Sequence, residues 1–164
     1  MNDNVARHAH PPFPLPPPTS HPQGFIEAWT GVVNADQQQA QLLQASFGDD
    51  FYVGNLVRAA EQLDMDNVIS PTAGWKANFI WKKTSAWDDE AFGRRVPITL
   101  AGRIVWVISA EDLVVAKLLW SQSSQSEMQL RDVANVVGVA TLDWDYLNPW
   151  IDDLGLRHTF DSLS

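Results

Sequence analysis

The sequence predicts a small α/β (α+β) domain, with a mixed sheet packed against helices and a C-terminal third that is helical. Three observations lead there. Short runs rich in β-branched and aromatic residues, at positions 51–53, 67–70, 75–81, 96–100 and 104–108, alternate with stretches at helical spacing. Beyond Ile108 the apolar residues recur every three or four positions and no further strand-like run follows. The composition is globular, at 45% hydrophobic and 19% charged, and 164 residues suffice for one domain with a proper core.

Residues 1–23, MNDNVARHAHPPFPLPPPTSHPQ, precede that domain as a tail, because closely spaced prolines remove backbone donors and fix φ. Disordered or polyproline-like chain is expected; the alternative is that PFPLPPP docks in a proline-reading groove. His8, His10 and His21 could suggest a metal tract, but histidines scattered through flexible chain are expected to do nothing. The domain is expected to occupy 24–164.

Asp36 opens a helix of strong formers that runs to Ser46, with Gly48 as its stop. Phe51-Tyr-Val53 is a brief strand, and Asn55 caps a second helix whose Leu56, Ala59, Ala60 and Leu63 share a face. Residues 67–70 and 75–81 form a hairpin through Pro71-Thr-Ala-Gly74. A second hairpin joins 96–100 to 104–108 through Ala101-Gly-Arg103, and its unbroken apolar second arm predicts burial on both faces.

Ser109-Ala-Glu-Asp112 is an [ST]-x-x-[DE] cap, with its acids where the helix dipole favours them. The helix that follows is apolar all round except at Lys117, and a Ser/Gln loop at 121–125 is expected to end it. The next helix places Leu130, Val133, Ala134 and Val137 on one face, with Gly138 at its end. Asp143 caps a last helix with Tyr146, Leu147, Trp150, Ile151 and Leu154 inward and Gly155 as stop. Pro149 should kink it or start it afresh, because an interior proline costs about 3 kcal/mol.

Twenty acidic residues against eleven basic ones, a net charge of −9, argue against broad binding to a nucleic-acid backbone. The absence of cysteine excludes disulfides, thiolate metal sites and cysteine nucleophiles. No apolar run approaches the ~20 residues that span a bilayer, and no secretory signal opens the chain, so a soluble cytoplasmic protein is expected. Eight tryptophans point to packing or partner contact.

Lys117 is the most informative candidate, since an ammonium in an apolar helix needs an acid or a ligand. Asp132, beside Arg131 on the following helix, is one candidate partner and a phosphate another. In the alternative its stem packs and its head reaches water. Magnesium-assisted phosphoryl transfer would need converging carboxylates, but Asp49-Asp50, Asp64/Asp66, Asp88-Asp89, Asp143/Asp145 and Asp152-Asp153 all read as turn or cap residues. Lys82-Lys83 and Arg94-Arg95 flank an expected loop containing Trp87 and could receive phosphates or a base, or could be exposed loop charges. P-loop, Gly-x-Gly-x-x-Gly, His-Glu-x-x-His and Gly-x-Ser-x-Gly motifs are absent.

Between Ala35 and Leu156 one ordered set of segments stands out. It comprises Phe51-Tyr-Val53, Trp75-Lys-Ala-Asn-Phe79, Arg94-Arg95, residues 108–120, Ser126-Glu-Met-Gln-Leu-Arg-Asp-Val-Ala-Asn135, Leu142-Asp-Trp-Asp-Tyr-Leu147 and Leu154-Gly-Leu156. In this order the chain resembles the minimal nucleotidyltransferase-like proteins, including the AbiEii-type toxins of bacterial toxin–antitoxin and phage-defence systems. The resemblance implies nucleotidyl transfer from a nucleoside triphosphate to a protein or RNA hydroxyl, with Mg2+. Lys117 would contact phosphate, Asp132 would orient it or assist deprotonation, and Lys76 and Arg131 would help hold the nucleotide.

The chain departs from the family where the metal binds. Residues 24–33, GFIEAWTGVV, bring Trp29, Thr30 and Gly31 to the place of the Asp-x-Asp strand, and Lys76-Ala-Asn78 puts an amide where the third acid stands. Asn135 stands where many members of the family have an acid, and the proline-rich start stands where the family's first helix and glycine turn are expected, as if truncated or replaced. Weak or absent transfer is the expectation. The rival is a non-catalytic module that binds a protein partner, for instance a cognate antitoxin.

Overall fold

A computed structural model describes residues 27–100, 102–124 and 126–163. The expected tail at 1–23 lies outside them, as do residues 24–26. The fold is mixed α/β, with seven helices, a four-stranded mixed sheet and a two-stranded sheet among the described residues, and a helical C-terminal portion. The chain gathers into two compact units, one ending at Lys83 and the other beginning at Thr84.

In the first unit, β1 (Glu27–Val33), α1 (Gln37–Ala45), β2 (Tyr52–Val53), α2 (Leu56–Gln62), β3 (Met65–Ser70) and β4 (Trp75–Trp81) follow in order. The sheet order is β1-β4-β3-β2, with β1 parallel to β4 and the other pairs antiparallel. Asp36 caps α1 through a full capping box: its carboxylate accepts from the Gln39 amide at 2.8 Å while the Gln39 side chain accepts from the Asp36 amide at 2.9 Å. Asn55 caps α2 as its sequence position predicts. Gly74, at φ +72, closes the β3–β4 hairpin in a conformation that an L side chain resists.

One face of this sheet makes the core. Val68 and Trp81 are buried with Ala40, Leu56, Ala59 and Ala60 of the two helices, and the Trp81 indole N–H donates to the Ala35 carbonyl at 3.0 Å. Asp66 departs from the expectation of a turn or cap residue, because it lies on β3. Its carboxylate accepts from the amides of Asn55 and Asn67, both at 2.8 Å, and so ties the start of α2 to the sheet.

The second unit contains α3 (Ala86–Gly93), β5 (Val96–Leu100), β6 (Arg103–Val107), α4 (Ala110–Ser124), α5 (Glu127–Val139), α6 (Trp144–Asp153) and α7 (Arg157–Asp161). Its core joins Trp87 and Ala91 of α3, Val114, Val115, Ala116 and Leu118 of α4, Val133, Leu142, Leu147, Ile151 and Leu156. No helix of the described residues is long and apolar enough to cross a membrane.

Several local expectations are corrected here. Trp87 sits on a helix rather than in a loop, because Ser85 caps α3 by accepting from the Asp88 amide. The second arm of the β5–β6 hairpin is not buried: Ile104 is 71% and Trp106 58% exposed, because the two-stranded sheet has no further strand beside it among the described residues. Helix α4 does not stop at Ser121, which is buried and turns its hydroxyl back to the Leu118 carbonyl at 2.7 Å, so the polar residues continue the helix instead of breaking it. Ala134 is exposed, and Gly138 lies within α5. Pro149 is accommodated inside one continuous α6: it faces solvent, while Leu147 and Ile151 on either side are fully buried and hold the helix. Beyond the expected stop at Gly155 the chain adds a short helix, α7, that was not expected from the sequence.

Candidate functional site

Lys117 projects from α4 toward α5, where its Nζ donates to Asp132 Oδ2 at 2.7 Å and to Gln129 Oε1 at 3.0 Å. The helices bring these together because Gln129 and Asp132 are three residues apart on one face of α5. The lysine side chain is 16% exposed and that of Asp132 is 41% exposed, so the pair lies at the rim of the unit rather than in its core. The Asp132 charge neutralises the ammonium, leaving one N–H for an outside acceptor. Neighbouring Arg131 is exposed and has no ion-pair partner among the described residues.

A larger polar cluster sits at the start of α4, and the sequence reading saw only its helix cap. Asp112 has no exposed surface. Its Oδ1 accepts from the Tyr146 hydroxyl at 2.6 Å and its Oδ2 from the Ser109 hydroxyl at 2.7 Å, while Ser109 also accepts from the Asp112 amide. Arg94, just past α3, reaches Asp112 at 3.6 Å and Glu111 at 3.5 Å, with its guanidinium carbon 3.6 Å above the centre of the Tyr146 ring. Glu111 accepts from the Asp143 amide at the start of α6 at 3.0 Å. The reading of Arg94 as an exposed loop charge is therefore corrected; the signal was an acid pair opening a helix whose next residues are wholly apolar.

This cluster is electrostatically closed. Burial would raise the Glu111 carboxyl, but the backbone N–H groups of Asp143 and of Glu111 itself, the Ser109 hydroxyl and the Arg94 guanidinium outweigh it and hold it below the ordinary glutamate value. Burial, the hydrogen bond to Asp112 and that carboxylate's charge push the Tyr146 hydroxyl well above the usual tyrosine value. Each acid is occupied by protein donors, so the cluster stitches α3, α4 and α6 together.

The third group lies on the sheet of the other unit. In the β1–β4 register Thr30 stands opposite Asn78, and Asn78 Nδ2 donates to Thr30 Oγ1 at 3.2 Å. The Asn78 Oδ1 is buried without a hydrogen-bond donor among the described residues. Lys76, two residues back along β4, is on the same face and half-buried. Lys82 donates to the Lys83 carbonyl. Of the residues singled out from sequence, the fold joins Lys117 to Asp132, leaves Arg131 in solvent, and places Lys76 in the unit that ends at Lys83.

The described residues do not fit a magnesium site. No group of three His, Asp or Glu side chains converges among them, and Glu111 and Asp112, which do adjoin, are already held by Arg94, Ser109 and Tyr146. A shallow hollow of about 230 Å³ between α5 and the C-terminal end, lined by Ala134, Val137, Gly138, Phe160 and Leu163, offers apolar surface without a polar anchor. Comparison with protein-family models and with curated proteins gives no match to this chain.

Proposed function

We propose that this chain is a nucleotidyltransferase-superfamily domain impaired in transfer because its own residues no longer hold the catalytic metal. The observation that supports this reading best is the Thr30–Asn78 bond. These residues face one another across adjacent strands at the positions where the family resemblance expects metal-binding acids. Two carboxylates at that spacing would repel unless a cation lay between them; a hydroxyl and an amide close the same gap with a neutral hydrogen bond. Any remaining phosphate contact would fall to Lys117 and Arg131, with Asp132 competing for the lysine.

The test is calorimetric titration with ATP, CTP, GTP and UTP, with and without magnesium, on the native chain, on Lys117→Ala, and on the double variant Thr30→Asp/Asn78→Asp. The native chain should show no magnesium-dependent binding at millimolar nucleotide, and the double variant should gain magnesium affinity. Magnesium-dependent triphosphate binding by the native chain, lost in Lys117→Ala, would defeat the reading and restore a working transferase.

A further inference from the structure

The β5–β6 hairpin combines three properties that the rest of the chain does not account for. Both faces are apolar and exposed: Val96, Ile98 and Leu100 on one, Ile104 and Trp106 on the other. Its two strands pair only with each other among the described residues, so backbone donors and acceptors line an outer edge along β6. It is also locally basic in an acidic protein. Residues 91–110 contain Arg94, Arg95 and Arg103 and no aspartate or glutamate, in a chain of net charge −9.

Arg94 is spent internally on Glu111 and Asp112. Arg95 is not: its guanidinium carbon lies 3.4 Å from the Phe92 ring centre and 5.9 Å from that of Trp106, its Nε is buried without an acceptor, and it meets no carboxylate among the described residues. Arg103, at the first position of β6, is exposed and likewise has no acid beside it among them. Two cations without acids thus bracket the apolar strand, and aromatic contact already restricts one of them.

We propose that β6 docks an extended acidic segment of a partner protein, which adds to the hairpin as a third strand. Its backbone pairs with the open edge, its apolar side chains cover Ile104 and Trp106, and its carboxylates reach Arg95 and Arg103. The proposal does not depend on the Thr30–Asn78 bond or on Lys117, Arg131 and Asp132, which the proposed function invokes. Nucleic acid fits less well, because two cations release few counterions and the remaining charge of the chain is repulsive. A second copy of the chain fits less well too, since paired hairpins would bring like arginines together.

The probes are two dye-labelled octapeptides, one alternating valine with aspartate and one alternating valine with lysine, titrated into the full chain by fluorescence polarisation. Amide chemical shifts follow the same titration. The acidic peptide should bind, with shifts concentrated at residues 103–107, and Arg95→Glu/Arg103→Glu should weaken it by roughly tenfold or more while allowing the basic peptide to bind. Arg103→Glu alone, at an exposed position, should give a smaller change of the same sign and guards against misfolding of the double variant. Equal binding of both peptides, no binding at millimolar peptide, shifts elsewhere in the chain, or preferential binding of a single-stranded oligothymidylate would each overturn the proposal.

Discussion

The two units solve the problem of a core in different ways. In the unit ending at Lys83, the buried set is apolar apart from Ser70, and a carboxylate at its margin, Asp66, works by capping amides. In the unit beginning at Thr84, a carboxylate with no exposed surface sits beside Val114 and Val115 and is held by an arginine, a tyrosine and a serine. An apolar core tolerates small adjustments of shape, whereas a buried charge demands every partner at once. The contrast also separates two kinds of acid–base pair: Arg94–Asp112 organises three helices, while Lys117–Asp132 lies at a rim where solvent screens it.

Four changes test that contrast. Asp112→Ala should have the largest effect, about 3–5 kcal/mol, because it leaves the Tyr146 and Ser109 hydroxyls without their acceptor and the Arg94 charge with Glu111 alone. Hydrogen exchange should show the loss in residues 84–163 ahead of residues 27–83; equal loss everywhere would remove the distinction between the units. Trp81→Ala should cost a comparable or slightly smaller amount, about 3–4 kcal/mol, from a cavity and a lost indole bond in the first unit. Urea unfolding followed by exchange would register it, and protection there should fall first.

Gly54→Ala should cost about 1–3 kcal/mol, since a Cβ there would lie 1.9 Å from Asp66 Oδ1 and must displace the carboxylate from its amides. Unchanged stability would mean that Asp66 is dispensable to the loop. The smallest effect concerns pH. Because the folded-state Glu111 value is depressed below its ordinary 4.5, its contribution is present above that value and is lost as pH falls through the folded value. Acid titration of stability should therefore be shallower in Glu111→Gln than in the native chain, and identical slopes would assign acid sensitivity to other carboxylates.

Most helices and strands were legible where local chemistry decides them, though α3 was not, despite a Ser85 cap that is just as local. Asp36 with Gln39, Asn55, Ser109 with Asp112, and Asp143 each mark a helix start that the structure retains, because a cap is a hydrogen bond between residues two or three apart. The Lys117–Asp132 contact was legible as a candidate for a related reason: an unmatched lysine in an apolar helix looks for the nearest acid on the next helix. Exposure was not legible. Ile104-Val-Trp-Val-Ile108 has the composition of a buried strand, yet burial depends on what lies alongside, which no window of sequence contains.

Neighbours in the chain and overall composition were enough for most strands and helices, the caps named above, the helical C-terminal portion and the acidic balance. The fold in three dimensions fixed the parallel pairing of β1 with β4 and set Thr30 against Asn78 across 48 residues. It also decided that Tyr146 and Arg94 meet at Asp112. Those contacts depend on packing between segments remote in sequence, and their partners are chosen by the cores that form around them.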